Sequence, residues 1–250
     1  MFLWKIKLKA FLIHLAISVI LISIFLLVVS KIWFPGPLFQ LEGVWQGLKI
    51  LIPVDAILGP LLTLILFVPG KKGLKLDLSV VAGLQIAALI YGGSLIYQQR
   101  PVAFAFVIDR FEVILASNEY WNDLPQERFK NNNHSFPLMT YVLPAQNREE
   151  KNQFILNFTD IKKLTERHYP LDKYMDKIIE KSLKLHSLTP SNEKSKQLLN
   201  DFVKANKESK ELLLLPLQAS TLQSAVIVIN SKTGEFVEYI NIDPWETNDN

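Results

Sequence analysis

IPVDAILGPLLTLILF, residues 52–67, is an apolar run with a single acid in it, Asp55, and a proline, Pro60, five residues further on. In a soluble core helix such a carboxylate would be an oddity. In a helix that crosses a bilayer it carries information, because an ionised acid at mid-membrane costs about 2.5–3.5 kcal/mol on insertion scales and usually faces protein. The choice between these readings decides the fold, and the flanking sequence makes it.

Residues 11–30, FLIHLAISVILISIFLLVVS, contain no acid, lysine or arginine, and residues 78–97, LSVVAGLQIAALIYGGSLIY, are also uncharged. With the run around Asp55 they give three segments, about 11–30, 46–68 and 78–97. Each is close to the roughly 20 residues that cross about 30 Å of hydrocarbon. Buried core helices are excluded because no amphipathic elements remain in the first hundred residues to cover them. A cleaved signal peptide is excluded because the first apolar region is too long and lacks an A-x-A-like site.

Charge divides the chain in the same way. Residues 1–100 hold nine Lys/Arg against three Asp/Glu, whereas residues 101–250 hold 18 against 21. Lys5, Lys7 and Lys9 precede the first span, and Lys71, Lys72 and Lys75 lie between the second and third. The connector 31–43 carries only Lys31 against Glu42. Positive loops stay in the cytoplasm, so the N-terminus faces inward and residues 101–250 face outward. Trp33, Phe34 and Trp45 suit the outer interface and Trp4 the inner one. The expected architecture is a three-helix transmembrane bundle over residues 1–100, then an α+β extracytoplasmic domain over 101–250 with an antiparallel sheet.

Helical rise places Asp55 roughly 15 Å below the outer interface if span 2 begins near Trp45. By the same count Gln85 and Ser23 lie near the midplane, while His14 lies about 4–5 Å from the inner surface, too shallow to serve Asp55. Two readings stay open. Asp55, in its protonated form, hydrogen-bonds Gln85 or Ser23 inside the bundle, or it faces an open flank and receives a partner helix. A proton pathway would need a relay, and only one ionisable group sits at this depth. Pro60 lacks an N–H and frees the carbonyl of Ala56, which bends span 2 or opens an acceptor. Thr63, one turn on, helps satisfy the local backbone, and Gly59 belongs to the same block. In span 3, Gly83 with Ala87 and Ala88 with Gly92 form small-residue faces that let helices approach closely in lipid.

In the outer half, 102–108 and 111–115 read as strands whose side-chain parity flips between them, so the chain turns at Asp109-Arg110. Residues 137–143 read as another strand, and SAVIVINSKTGEFVEYINI, starting at Ser224, reads as a hairpin about a Gly-containing turn at 230–234. Residues 171–188 present Leu171, Tyr174, Ile178 and Leu185 as one helical stripe. A second helix follows the Thr189-Pro190 start signal and packs through Leu198, Leu199 and Phe202. Residues 117–135 and 144–152 are polar and without pattern.

Chemistry is scarce. There are no cysteines, and the four histidines, His14, His134, His168 and His186, show no metal spacing. No nucleophile elbow, zincin helix or phosphate loop occurs. No basic stripe suggests nucleic acid. The triplets at Asn133 and Asn157 match the glycosylation pattern but arise readily by chance. The residues thus describe a membrane-anchored binding or assembly factor with no cofactor, metal or catalytic group. The alternative is a membrane-anchored sensor with a periplasmic ligand-binding domain.

Six blocks occur in one order: KAFLIHLAISV (9–19), WFPGPLF (33–39), VDAILGPLLTLILFVPGK (54–71), GLQIAALIYG (83–92), RPVAFAFVIDRFEVI (100–114) and DPW (243–245). In these the chain resembles the TfpX/TfpZ family of type IV pilin accessory proteins, most specifically at 55–63. The resemblance implies a bacterial inner-membrane protein with a periplasmic C-terminal domain and no enzymatic activity. It implies a chaperone-like role toward a cognate type IV major pilin, with partners reaching to the pilus assembly machinery. Asp55 and the small-residue face of span 3 would meet the pilin helix and the outer domain its head. Pilins carry an acid near the start of that helix, so a meeting with Asp55 needs a shared proton.

Overall fold

Residues 2–130, 136–190, 192–206 and 211–246 are described by the computed structural model. The loop at Asn131–His134, the triplet at Asn133 and the side chain of His186 lie outside the described residues. Three segments, Leu3–Trp33, Val44–Leu66 and Leu74–Gln98, are helical and long and apolar enough to cross a membrane. The chain divides into two units, one of residues 1–35 and 43–99, the other of residues 36–42 and 100–250.

In the first unit, α1 (Phe2–Val28) runs into a π-helical turn at Val29–Trp33, closed by the Phe34 N–H on the Val29 carbonyl. Helix α1 starts well before residue 11 because Lys5, Lys7 and Lys9 mark a membrane boundary, not a helix boundary. The second span is α3 (Val44–Pro53), a π-helical segment at Val54–Leu58, and α4 (Gly59–Leu66). The third is α5 (Leu74–Gln98). Outward faces carry Ile17, Ile20, Ile57, Ile65, Leu84 and Ile90, all exposed. Such apolar exteriors belong against lipid. The inward stripe of α1 runs through Ser18, Ile22 and Val29 at helical spacing, all buried.

The second unit includes the short helix α2 (Leu38–Leu41) within the connector, besides everything after Gln99. Its strands are β1 (Pro101–Val107), β2 (Arg110–Leu115), β3 (Leu138–Val142), β4 (His168–Pro170), β5 (Leu212–Gln218), β6 (Ser224–Asn230) and β7 (Phe236–Ile240). They form one sheet in the order β4-β3-β1-β2-β5-β6-β7. The sheet is mixed rather than antiparallel. Hairpin neighbours run antiparallel, but β1 with β3 and β2 with β5 are parallel. Each parallel pair follows a long connection, which can return the chain to either end of a strand, whereas a tight turn cannot. The parity flip at Asp109-Arg110 is the β1–β2 turn, with Val107 opposite Arg110 and Ile108 at φ 60°.

Three expectations need correction. Residues 171–188 are not one helix. A 3-10 turn at Leu171–Tyr174 leads into α7 (Met175–Ile179), and the Leu183 N–H then bonds the Leu214 carbonyl at 2.7 Å, drawing the chain onto the sheet. Residues 144–152 are not patternless loop. Helix α6 (Arg148–Leu156) starts there, capped by Asn147, whose side chain accepts from the Glu150 N–H at 2.8 Å. It buries no residue, so no apolar period announced it. Helix α8 (Glu193–Ala205) begins at an Asn192 cap, not at Thr189-Pro190. Its Leu199 and Phe202 pack on Leu214, Val226, Val228 and Ile240.

Candidate functional site

The second span is where the sequence puts its acid, and it is where the backbone departs from an α-helix. Pro53 sits inside α3 and Pro60 opens α4. Two missing N–H groups seven residues apart loosen the ladder between them. The segment relaxes into a π-turn, with the Gly59 N–H donating to the Val54 carbonyl five residues back. Such insertions recur at functional sites. Here the turn holds Asp55, which is only 6% exposed.

Around it the three spans supply polar groups. Gln85 of α5 donates from Nε2 to the Asp55 backbone carbonyl at 3.2 Å. The sequence reading offers Gln85 or Ser23 to the Asp55 carboxyl. The structure brings Gln85 to Asp55 and directs its amide to the backbone carbonyl, which the π-turn leaves in need of a donor. Gly59 makes this approach fit, since a Cβ there would overlap the Gln85 amide. The Asp55 Oδ1 atom is buried and has no hydrogen-bond partner among the described residues.

Ser23 does not join the group. Its hydroxyl donates to the Val19 carbonyl at 2.7 Å on its own helix, the back-bond that serine commonly makes. His14 meets the second span elsewhere, with its Nδ1 2.6 Å from the Thr63 hydroxyl. The sequence reading sets His14 aside on depth. The same arithmetic was its best signal, for Thr63 lies roughly 27 Å along the helix from Trp45 and so reaches the depth of His14. Lys7 fixes the same register of α1 on α4 by donating to the Ile65 carbonyl at 3.1 Å.

The small residues of α5 part company. Ala88 and Gly92 lie on its half-buried side, and a Cβ on Gly92 would come 2.6 Å from Leu51 Cδ1. Gly83 and Ala87 are exposed, with open space where a Gly83 Cβ would go. Further along, Gly93 lies against the Phe25 ring, Phe25 packs edge-on to Trp33, and Trp33 to Tyr97. Asp109 and Arg110 pair with each other at 2.8 Å on the surface, and the Arg110 guanidinium lies 4.8 Å over Trp245. No group of three metal-ligating side chains occurs among the described residues.

Similarity to known proteins covers both units. Fimbrial assembly proteins of Dichelobacter nodosus from serogroups I and E1 are 26% and 25% identical over 243 residues, 94% of each chain. A third, of serogroups C1 and C2, is 31% identical over 116 residues, 46% of this chain and 88% of that relative. The chain belongs to the fimbrial assembly protein family. No family model matches it, and no solved structure is similar to it.

This fimbrial assembly family member has a second polar cluster in its second unit. The Ser220 N–H donates to Glu42 Oε1 at 3.2 Å, the Ser220 hydroxyl donates to Oε2, and the Thr221 hydroxyl donates to the Leu41 carbonyl. Burial pushes the Glu42 carboxyl above its usual range, against the opposing pull of Ser220 and Lys162. His168 is fully buried between Thr140, at 3.0 Å, and the Lys162 carbonyl, at 2.7 Å. A carbonyl only accepts, so Nε2 carries the proton and Nδ1 accepts from Thr140. Burial holds this imidazole below its ordinary pKa.

Proposed function

We propose that this protein is an inner-membrane accessory factor of type IV pilus biogenesis, of the TfpX/TfpZ kind, that binds its cognate pilin without catalysing a reaction. Kinship with fimbrial assembly proteins across both units supports the pilus role. The observation that carries pilin binding is the Asp55 carboxyl oxygen, buried in a π-turn of an apolar span and lacking a donor. Its cost is recovered when a partner helix presents one. A pilin awaiting assembly is such a partner, with an apolar helix in the inner membrane and a head in the periplasm. The exposed face of α5 around Gly83 and Ala87 gives that helix room to approach.

The loop lysines favour a cytoplasmic N-terminus and a periplasmic second unit. Membership of connector 36–42 in the unit that begins at residue 100 agrees with two crossings between them. The test is cross-linked capture of pilin from membranes. Wild type recovers pilin, and Asp55→Ala loses most of it at equal abundance. If wild type captures none, the reading fails.

A further inference from the structure

Among the described residues, three non-glycine positions have left-handed backbone: Ile108 (φ 60°), Phe158 (φ 49°) and Leu222 (φ 67°). That conformation is unfavourable for an ordinary L side chain, whose Cβ crowds the following carbonyl oxygen. All three are large and apolar, and all are exposed, at 62%, 95% and 76% respectively. Strained backbone that holds apolar side chains away from the protein points to something outside the protein that receives them.

Position in the unit separates the three. The chain passes from the third span into β1 at Pro101, and Ile108 lies at the far end of that strand, about 23 Å away at 3.3 Å per residue. Leu222 lies at the opposite end. β5 runs parallel to β2, with Leu217 beside Phe111 and Gln218 beside Glu112, and β2 finishes at Leu115 opposite Pro101. The turn after Gln218 therefore points toward the end of the sheet at which β1 begins. It is fastened there by the Ser220 and Thr221 bonds to Glu42 and Leu41, and by a small core of Leu41, Ala219 and Ala225. Leu41 is three residues from Val44, where the second span begins. Three residues of chain reach on the order of 10 Å. Phe136, nearly half exposed, precedes β3 at this same end, where Leu138 pairs with Ala103.

We infer that the β5–β6 turn, residues 219–223, is a membrane-anchoring finger that sets the Leu222 side chain into the lipid interface. The occupant is lipid rather than protein because the turn is tied to Leu41 and Glu42, within three residues of the start of the second apolar span. Phe158, at the end of α6, has no such tether and is assigned no role. The finger gives the second unit an attachment to the bilayer additional to its chain linkages.

The chain has no cysteine, so Leu222→Cys in the full protein carries one environment-sensitive fluorophore (NBD). Ile108→Cys is the matched control, being apolar, exposed and left-handed at the other end of β1. Both are placed in nanodiscs of phosphatidylethanolamine and phosphatidylglycerol containing nitroxide-labelled lipid. The label at 222 is expected to be quenched severalfold more by nitroxide lipid than the label at 108, and severalfold less by aqueous iodide. Equal iodide quenching at both positions overturns the inference. So does shielding of position 222 from both quenchers, which would mean that protein covers it.

Discussion

Gly59 and Gln85 show how one hydrogen atom in place of a methyl sets a helix contact. In Gly59→Ala the Gln85 amide must swing away and release the Asp55 carbonyl. Hydrogen bonds of this kind between membrane helices average about 0.6 kcal/mol and reach about 1.7. Thermal unfolding in detergent should register a loss of that size, and the loss should largely vanish in a Gln85→Ala background. Gly92→Ala, which meets Leu51, should cost about 1–3 kcal/mol by overpacking, whereas Gly83→Ala should be silent. His168 gives a pH signature. Its pKa is lower folded than unfolded, so acid favours the unfolded chain. The stabilisation it gives is complete above its ordinary pKa near 6.5 and is lost as pH falls through the folded value. His168→Gln should flatten the fall in melting temperature below that pH. Glu42 is the converse case. Its raised pKa means that its stabilisation is complete below the unfolded value and declines as pH rises through the folded one. Glu42→Gln keeps an acceptor for Ser220 and removes the buried charge, so melting at neutral pH should rise slightly and depend less on pH.

At the scale of elements, caps and prolines set boundaries that apolar pattern does not. Asn147→Ala and Asn192→Ala should each cost about 1 kcal/mol, with the loss at α6 read best by local hydrogen exchange, since that helix buries nothing. The strands β1, β2, β3, β6 and β7 were legible because alternation or β-branched runs mark them. β5, LLLLPLQ, was not. Leucine favours helix, and proline is unwelcome inside a sheet. Only its place between β2 and β6 makes it a strand. The stripe at 171–188 misled because its period is real. Leu171 and Ile178 are buried as the period requires, but the Leu183 bond to β5 ends the helix. The π-turn was half legible. Pro60 announced a disturbance, but its extent depends on Pro53 as well and on the Gln85 amide that accompanies the widened turn.

At the scale of the molecule, connector 36–42 shares a unit with residues 100–246, so both must lie on one side of the membrane. Gln40→Cys and Lys196→Cys should react together with a membrane-impermeant maleimide added to the periplasmic side, and Lys72→Cys should not. Reaction of only one of the first two would break the two-unit description. The amino-acid sequence by itself determined that there are three segments able to span a membrane and that an acid lies among them. Those properties follow from the transfer of side chains between water and hydrocarbon, which is local and sums along the chain. Which polar groups meet, the parallel pairings of the sheet, the fastening of the connector to the β5–β6 turn and the lack of a partner for Asp55 Oδ1 were decided by tertiary structure alone. Each depends on two or more segments distant in sequence arriving at one place, and no local free energy records that meeting.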